Sequence, residues 1–135
     1  MVLSEVKRSS LKRVLFVEDE EDIQRVVKLT LERVGHLFVH VCGDSRLALH
    51  KAREVAPDLI LLDYLMPGLD GAALFKQFQD DAGLARIPVV FLTASATGDN
   101  AENLRALGAA GVIFKPFNAR ELVQKLFAIW DALKD

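Results

Sequence analysis

Five short apolar runs constrain this chain more than any other feature of its sequence. They are 14–17 (Val-Leu-Phe-Val), 38–42 (Phe-Val-His-Val-Cys), 59–62 (Leu-Ile-Leu-Leu), 89–92 (Val-Val-Phe-Leu) and 112–114 (Val-Ile-Phe). Four are continuous rather than alternating, and the second is broken only by His40. A strand with one wet face alternates apolar and polar residues; a strand covered on both faces does not. These runs therefore read as strands of a parallel sheet packed on both sides.

Helical patterns lie between and after the runs. The first carries Ile23, Val27, Leu31 and Val34 on one face and stops at Gly35. The second begins after Asp44, a good N-cap residue, and ends before Pro57. A third comes after Asp70-Gly71 with Leu74, Phe75 and Phe78, and a weaker fourth spans about Asn100 to Leu107. The last opens at Asn118, with Glu121 three residues on, a variant of the capping box. It carries Leu122, Leu126, Ile129 and Leu133 on one stripe and Val123, Phe127 and Trp130 on a second, which reads first as core and second as a partner surface. Strand and helix alternate five times, which predicts a doubly wound, flavodoxin-like α/β fold. Its five-stranded parallel sheet takes the order 2-1-3-4-5 with helices on both faces, and its site lies at the carboxyl ends of the strands.

Composition bounds what such a fold can do. The 135 residues suit one domain. A formal net charge of −2, with Lys and Arg scattered, argues against direct nucleic-acid binding. The longest apolar runs fall far short of the ~20 residues that cross a bilayer, and the first ten residues lack the apolar centre of a secretory signal. One cysteine, Cys42, excludes an intrachain disulfide and reads as a small buried hydrophobe. A cytoplasmic location without membrane contact is the expectation. His36, His40 and His50 have no ligand-like spacing.

The polar residues at the ends of the apolar runs are more telling. After the first run come Glu18, Asp19, Glu20 and Glu21; after the third, Asp63; after the fourth, Thr93 and Ser95; after the fifth, Lys115 and Pro116. The expected topology brings these strand ends together. Clustered carboxylates either raise one another's pKa or hold a cation. Oxygen-only donors favour Mg²⁺. Glu20, Glu21 and Asp22 read more simply as a solvated helix start. A carboxylate beside a cation, with a lysine and a hydroxyl opposite, is also a set of parts for phosphoryl transfer, with Asp63 as nucleophile.

These residues resemble the receiver domain of bacterial two-component response regulators. The matching stretches are 17–20 (Val-Glu-Asp-Glu), 62–71 (Leu-Asp-Tyr-Leu-Met-Pro-Gly-Leu-Asp-Gly), 92–94 (Leu-Thr-Ala) and 108–117 (Gly-Ala-Ala-Gly-Val-Ile-Phe-Lys-Pro-Phe). The resemblance implies that residues 11–135 form the receiver domain and 1–10 a flexible extension. It implies Asp63 as phosphoacceptor, Thr93 and Lys115 as its catalytic companions, and Glu18, Asp19, Asp63 and the Leu65 backbone carbonyl as Mg²⁺ ligands. It further implies a cis Lys115-Pro116 peptide and a phosphohistidine donor on a sensor histidine kinase or histidine phosphotransfer protein. The output is a downstream partner or effector domain, and the face of helix 4, strand 5 and helix 5 is a candidate for homodimerisation. The resemblance also implies a regulatory phosphoacceptor rather than an enzyme.

Two departures stand out. Val112 replaces the Tyr or Phe often found three residues before the lysine, so the usual aromatic switch is absent. Leu65 is apolar where some relatives place a polar residue near the hydrolytic water, which predicts slower loss of the phosphoryl group. Three alternatives stay open: a receiver-like interaction domain that takes no phosphoryl group, an aspartyl-phosphate phosphatase, and a flavin carrier. Leu65 stands where such a phosphatase needs a second aspartate, and the four acids after the first strand would repel a flavin's phosphate. The chain ends soon after its last helical stripe, so it acts by binding a partner or is a piece of a longer regulator.

Overall fold

The computed structural model describes residues 10–66, 69–93 and 98–133. The expected turn at Met66-Pro67-Gly68 falls partly, and Ser95 wholly, outside the described residues, as does the expected extension apart from Ser10.

Five strands form one parallel sheet: β1 Arg13–Val17, β2 Phe38–Cys42, β3 Leu59–Asp63, β4 Val89–Thr93 and β5 Gly111–Phe114. Their order is β2-β1-β3-β4-β5, as the alternation of runs and helices predicts. Between them lie α1 Glu21–Arg33, α2 Ala48–Val55, α3 Gly71–Asp80 and α4 Gly98–Ala106, and α5 Ala119–Leu133 comes last. Continuous apolar runs become strands buried on both faces because successive side chains point to opposite sides. Val14 and Phe16 pack with Val27, Leu31, Leu122 and Leu126 from α1 and α5. Leu15 and Val17 pack with Ala48, Ala52, Leu74, Phe78 and Leu104 from α2, α3 and α4. Two cores, one per face, thus clamp one sheet.

The structure departs from expectation locally. The segment after Asp44 opens as a 3-10 turn, Ser45–Leu47, whose start is capped by Asp44 accepting the Arg46 N–H, before α2 begins at Ala48. Two-residue strands, Leu65–Met66 and Leu69–Asp70, pair antiparallel just after β3; runs this short leave no periodicity to read. On α5 the buried face is Leu122, Val123, Leu126, Phe127 and Trp130, whereas Leu133 is 45% exposed. Val123, Phe127 and Trp130 are therefore core and not a partner surface, and Trp130 Nε1 donates to Ser10 Oγ at 3.1 Å. Asn118 does cap α5: its Oδ1 accepts the Glu121 N–H at 2.8 Å while its amide donates to Glu121 Oε1 at 3.0 Å.

Candidate functional site

Strand register assembles the site. Val17 pairs with Leu62 across β1 and β3, so the next residues, Glu18 and Asp63, leave the sheet side by side. Asp63 pairs with Leu92 of β4, which places Thr93 one step beyond. Thr93 pairs with Phe114 of β5, which places Lys115 one step beyond that, and the Lys115 N–H donates to the Thr93 carbonyl at 2.8 Å. Four adjacent strands thus end at the same edge of the sheet, at Glu18, Asp63, Thr93 and Lys115.

Among the described residues, the buried polar or charged side chains are Glu18, Asp63 and Thr93, at 0%, 5% and 1% exposure. Every other described side chain buried this deeply is apolar, which makes the trio conspicuous, since charged groups enter interiors only when paired or coordinated. Asp19 is exposed, yet one carboxylate oxygen from each of Glu18, Asp19 and Asp63 lies within 4.8 Å of the others. Lys115 Nζ stands 3.5 Å from Asp63 Oδ1 and 3.9 Å from Glu18 Oε1. One ammonium therefore faces two of the three clustered carboxylates.

The charge imbalance falls on Glu18. Burial first, and then the adjacent Asp63 carboxyl, push its pKa up to about 8. Its Oε2 accepts the Glu20 N–H at 3.3 Å, but Oε1 accepts no hydrogen bond among the described residues. A buried carboxylate oxygen without a donor, beside two further carboxylates, is what a hard cation would satisfy. The residues present fit such an ion, and the cluster could hold one.

Of the expected site residues, Glu18, Asp19 and Asp63 cluster, Lys115 stands beside Glu18 and Asp63, and Thr93 ends the neighbouring strand β4. Leu65 lies two residues beyond Asp63, in the short strand that pairs it with Asp70. Glu20 precedes α1 and Glu21 and Asp22 are exposed in its first turn, where acidic side chains suit the helix dipole. Cys42 is a buried free thiol, and His50 faces Glu54 along α2 at 3.4 Å. The Lys115-Pro116 peptide is cis.

Other contributors carry no motif signal. Gln24 Nε2 donates to the Glu18 carbonyl at 2.5 Å. Gly71 packs against the peptide after Asp63 so closely that a Cβ there would stand 2.8 Å from the Tyr64 oxygen and 2.9 Å from its Cα. Tyr64 in turn meets Phe91 edge-on, and Phe91 meets Phe75. Beside the crevice, an apolar groove of about 300 Å³ runs between α1 and the segment after β5, lined by Ile23, Val26, Val27, Pro116 and Phe117 with Asp22 and Lys115 at its edge.

Comparison with known proteins agrees with this geometry. The family model for the response regulator receiver domain matches residues 14–127. Among curated proteins, the phosphate regulon transcriptional regulatory protein PhoB of Klebsiella pneumoniae is 39% identical over 120 residues, covering 87% of this chain and 51% of that protein. The probable transcriptional regulator ycf27 of Guillardia theta is 32% identical, covering 87% of this chain and 45% of that protein. The chain thus spans about half the length of the curated relatives it matches. Among solved structures, the chemotaxis response regulator CheY4 of Vibrio cholerae superposes with a TM-score of 0.80 at 30% identity, covering 89% of this chain and 99% of that one. A putative response regulator from Chloroflexus aurantiacus gives 0.79 at 27% identity, covering 88% and 97%. No described helix is long and apolar enough to cross a membrane. A buried acid pair at the ends of β1 and β3, a lysine at the end of β5 and a family match across nearly the whole fold lead to one conclusion: the chain belongs to the response regulator receiver domains of two-component systems.

Proposed function

We propose that this domain is a phosphorylation-controlled switch in which Asp63 accepts a phosphoryl group from a phosphohistidine on a sensor histidine kinase or histidine phosphotransfer protein. The observation that carries this reading is the burial of Glu18, Asp63 and Thr93, alone among described polar side chains, at adjacent strand ends facing Lys115.

Glu18, Asp19 and Asp63, with the backbone carbonyl of Leu65, would hold Mg²⁺. The bound ion would offset charge on the phosphoryl oxygens and allow three carboxylates to remain ionised together. Asp63 attacks phosphorus through a carboxylate oxygen. The new P–O bond forms as the donor's P–N bond breaks, and the imidazole departs neutral, keeping the proton on its other nitrogen. Lys115, 3.5 Å from Asp63 before transfer, balances charge that the phosphoryl oxygens bring in. Thr93 supplies a hydroxyl at the end of β4, where a phosphoryl group on Asp63 would meet it. The domain is thus a phosphoacceptor that catalyses its own modification and slow dephosphorylation.

The groove along Ile23, Val26 and Phe117 supports docking of a donor helix, because it is apolar and shares Lys115 with the crevice. Added charge on Asp63 then shifts an inactive–active equilibrium that alters a docking face for a downstream partner or effector domain. A homodimer through α4, β5 and α5 would have to use the exposed side chains of that face, because Val123, Phe127 and Trp130 are buried within the chain. The reading carries a cytoplasmic location with it. Incubation with acetyl phosphate and Mg²⁺, read by intact mass, tests the proposal. One added phosphoryl group on the wild type and none on Asp63→Asn is the expected result; an unmodified wild type would defeat it and favour a receiver-like domain that takes no phosphate, to which Val112 also points.

A further inference from the structure

Glu18 is anchored by both polar atoms of its backbone. Its N–H donates to the Cys42 carbonyl of β2 at 3.0 Å, the last rung between β1 and β2. Its carbonyl opens toward the same side, beside Gly43 just after β2, where a Cβ would stand 3.8 Å from it and no further β2 rung follows among the pairs of the sheet. The partner that the carbonyl finds is the side chain of Gln24, whose Nε2 donates at 2.5 Å. Gln24 sits in the first turns of α1, with its own N–H bonded to the Glu20 carbonyl at 2.9 Å. No side-chain cap fixes the start of α1. The Gln24 amide therefore ties α1 back to Glu18, alongside the bond from the Glu20 N–H to the Glu18 carboxylate.

The geometry of that tie bears on the acids. A peptide unit is planar and contains both flanking Cα atoms. Pinning the Glu18 carbonyl thus fixes the Cα atoms of Glu18 and Asp19 together, the points from which both carboxylate side chains start. The β2–α2 segment passes close to the same amide, and the absence of a side chain at Gly43 leaves room for it, since a Cβ there would stand 3.0 Å from Nε2. We propose that Gln24 is a positioning residue for the cation site, holding the Glu18–Asp19 peptide so that both carboxylates present to one ion. The inference rests on the cation-binding reading of the acid cluster. A small hard cation tolerates little angular error in its ligands, and groups that orient metal ligands from behind typically contribute 10–100-fold in affinity.

The test compares Gln24→Met, which keeps length and helix propensity but cannot donate, with Gln79→Met as a control. Gln79 loses an equivalent bond, from its Nε2 to the Leu107 carbonyl at 2.7 Å, away from the acid cluster. Mg²⁺ affinity is measured by titration calorimetry, and the melting temperature in chelator. Gln24→Met should bind Mg²⁺ roughly tenfold more weakly, with Gln79→Met unchanged. At saturating Mg²⁺ the rate of modification by acetyl phosphate should return to the wild-type value. Wild-type affinity in Gln24→Met would overturn the proposal, as would an equal loss in Gln79→Met. A wild type that binds no Mg²⁺ would instead overturn the cation reading, and this inference with it.

Discussion

Replacing Glu18 with Gln removes an ionisable group from a completely buried position, and the consequence for stability can be worked out. The folded protein holds the Glu18 proton up to about pH 8, whereas the unfolded chain releases it near its ordinary value of 4.5. At about pH 7.5 without metal, folding must therefore take up a proton. That cost has an upper bound of about 1.4 kcal/mol per pH unit across the window, or roughly 4 kcal/mol. Relaxation around the coupled Asp63 carboxyl reduces it, to on the order of 2 kcal/mol. Glu18→Gln mimics the protonated form and avoids the penalty, so the metal-free variant should melt higher by about 6 °C for a domain of this size. The sign comes from linkage. Glu18 has a raised folded pKa, so its penalty is absent below about pH 4.5, grows between there and about pH 8, and then levels. The gap between variant and wild type should therefore close as pH falls to about 4.5. Added Mg²⁺ should raise the wild type more than the variant, because only the wild type presents all three carboxylates. Differential scanning calorimetry over this pH range, in chelator and in Mg²⁺, reads every part. Equal melting temperatures at about pH 7.5 without metal, or a gap that persists at about pH 4.5, would refute the assignment of the charge imbalance to Glu18.

Three further substitutions have definite expected outcomes. Gly71→Ala should destabilise the fold by about 2 kcal/mol in chemical denaturation, since its Cβ would meet backbone atoms of Tyr64 that cannot swing aside, and it should slow modification of the adjacent Asp63. Asn118→Ala should cost about 1 kcal/mol through the lost α5 cap, with no change in Mg²⁺ affinity by calorimetry. Leu65→Asn should shorten the lifetime of the phosphorylated form, monitored by intact mass after donor removal; an unchanged half-life would sink the idea that the apolar residue slows hydrolysis.

Much of the fold and most of the site are legible in the residues alone, and the physical reason is register. Continuous runs such as Leu59 to Leu62 identify buried strands, and a parallel sheet then converts "first residue after a run" into "same end of the sheet". That is how Glu18, Asp63, Thr93 and Lys115 can be gathered from positions nearly a hundred residues apart. The apolar stripes on α5 are harder, because Leu133 and Trp130 are both apolar and only packing decides that one is exposed and the other buried. Gln24 leaves no trace in the sequence. Its role depends on a loop that folds an amide back onto a carbonyl six residues earlier, and neither helical nor strand periodicity encodes that spacing. Gly71 belongs to a recognisable stretch, but its tight approach to Tyr64 is a matter of packing between β3 and α3.

The central claim is that the carboxyl group of Asp63 becomes an acyl phosphate. Borohydride reduces an acyl phosphate to an alcohol, which would turn a phosphorylated aspartate into homoserine at that position and leave free carboxylates untouched. After treatment with acetyl phosphate and Mg²⁺, then borohydride, peptide sequencing by mass spectrometry should find homoserine at residue 63, and none when Mg²⁺ is chelated. Homoserine at another aspartate, or an intact Asp63 in every sample, would contradict the account.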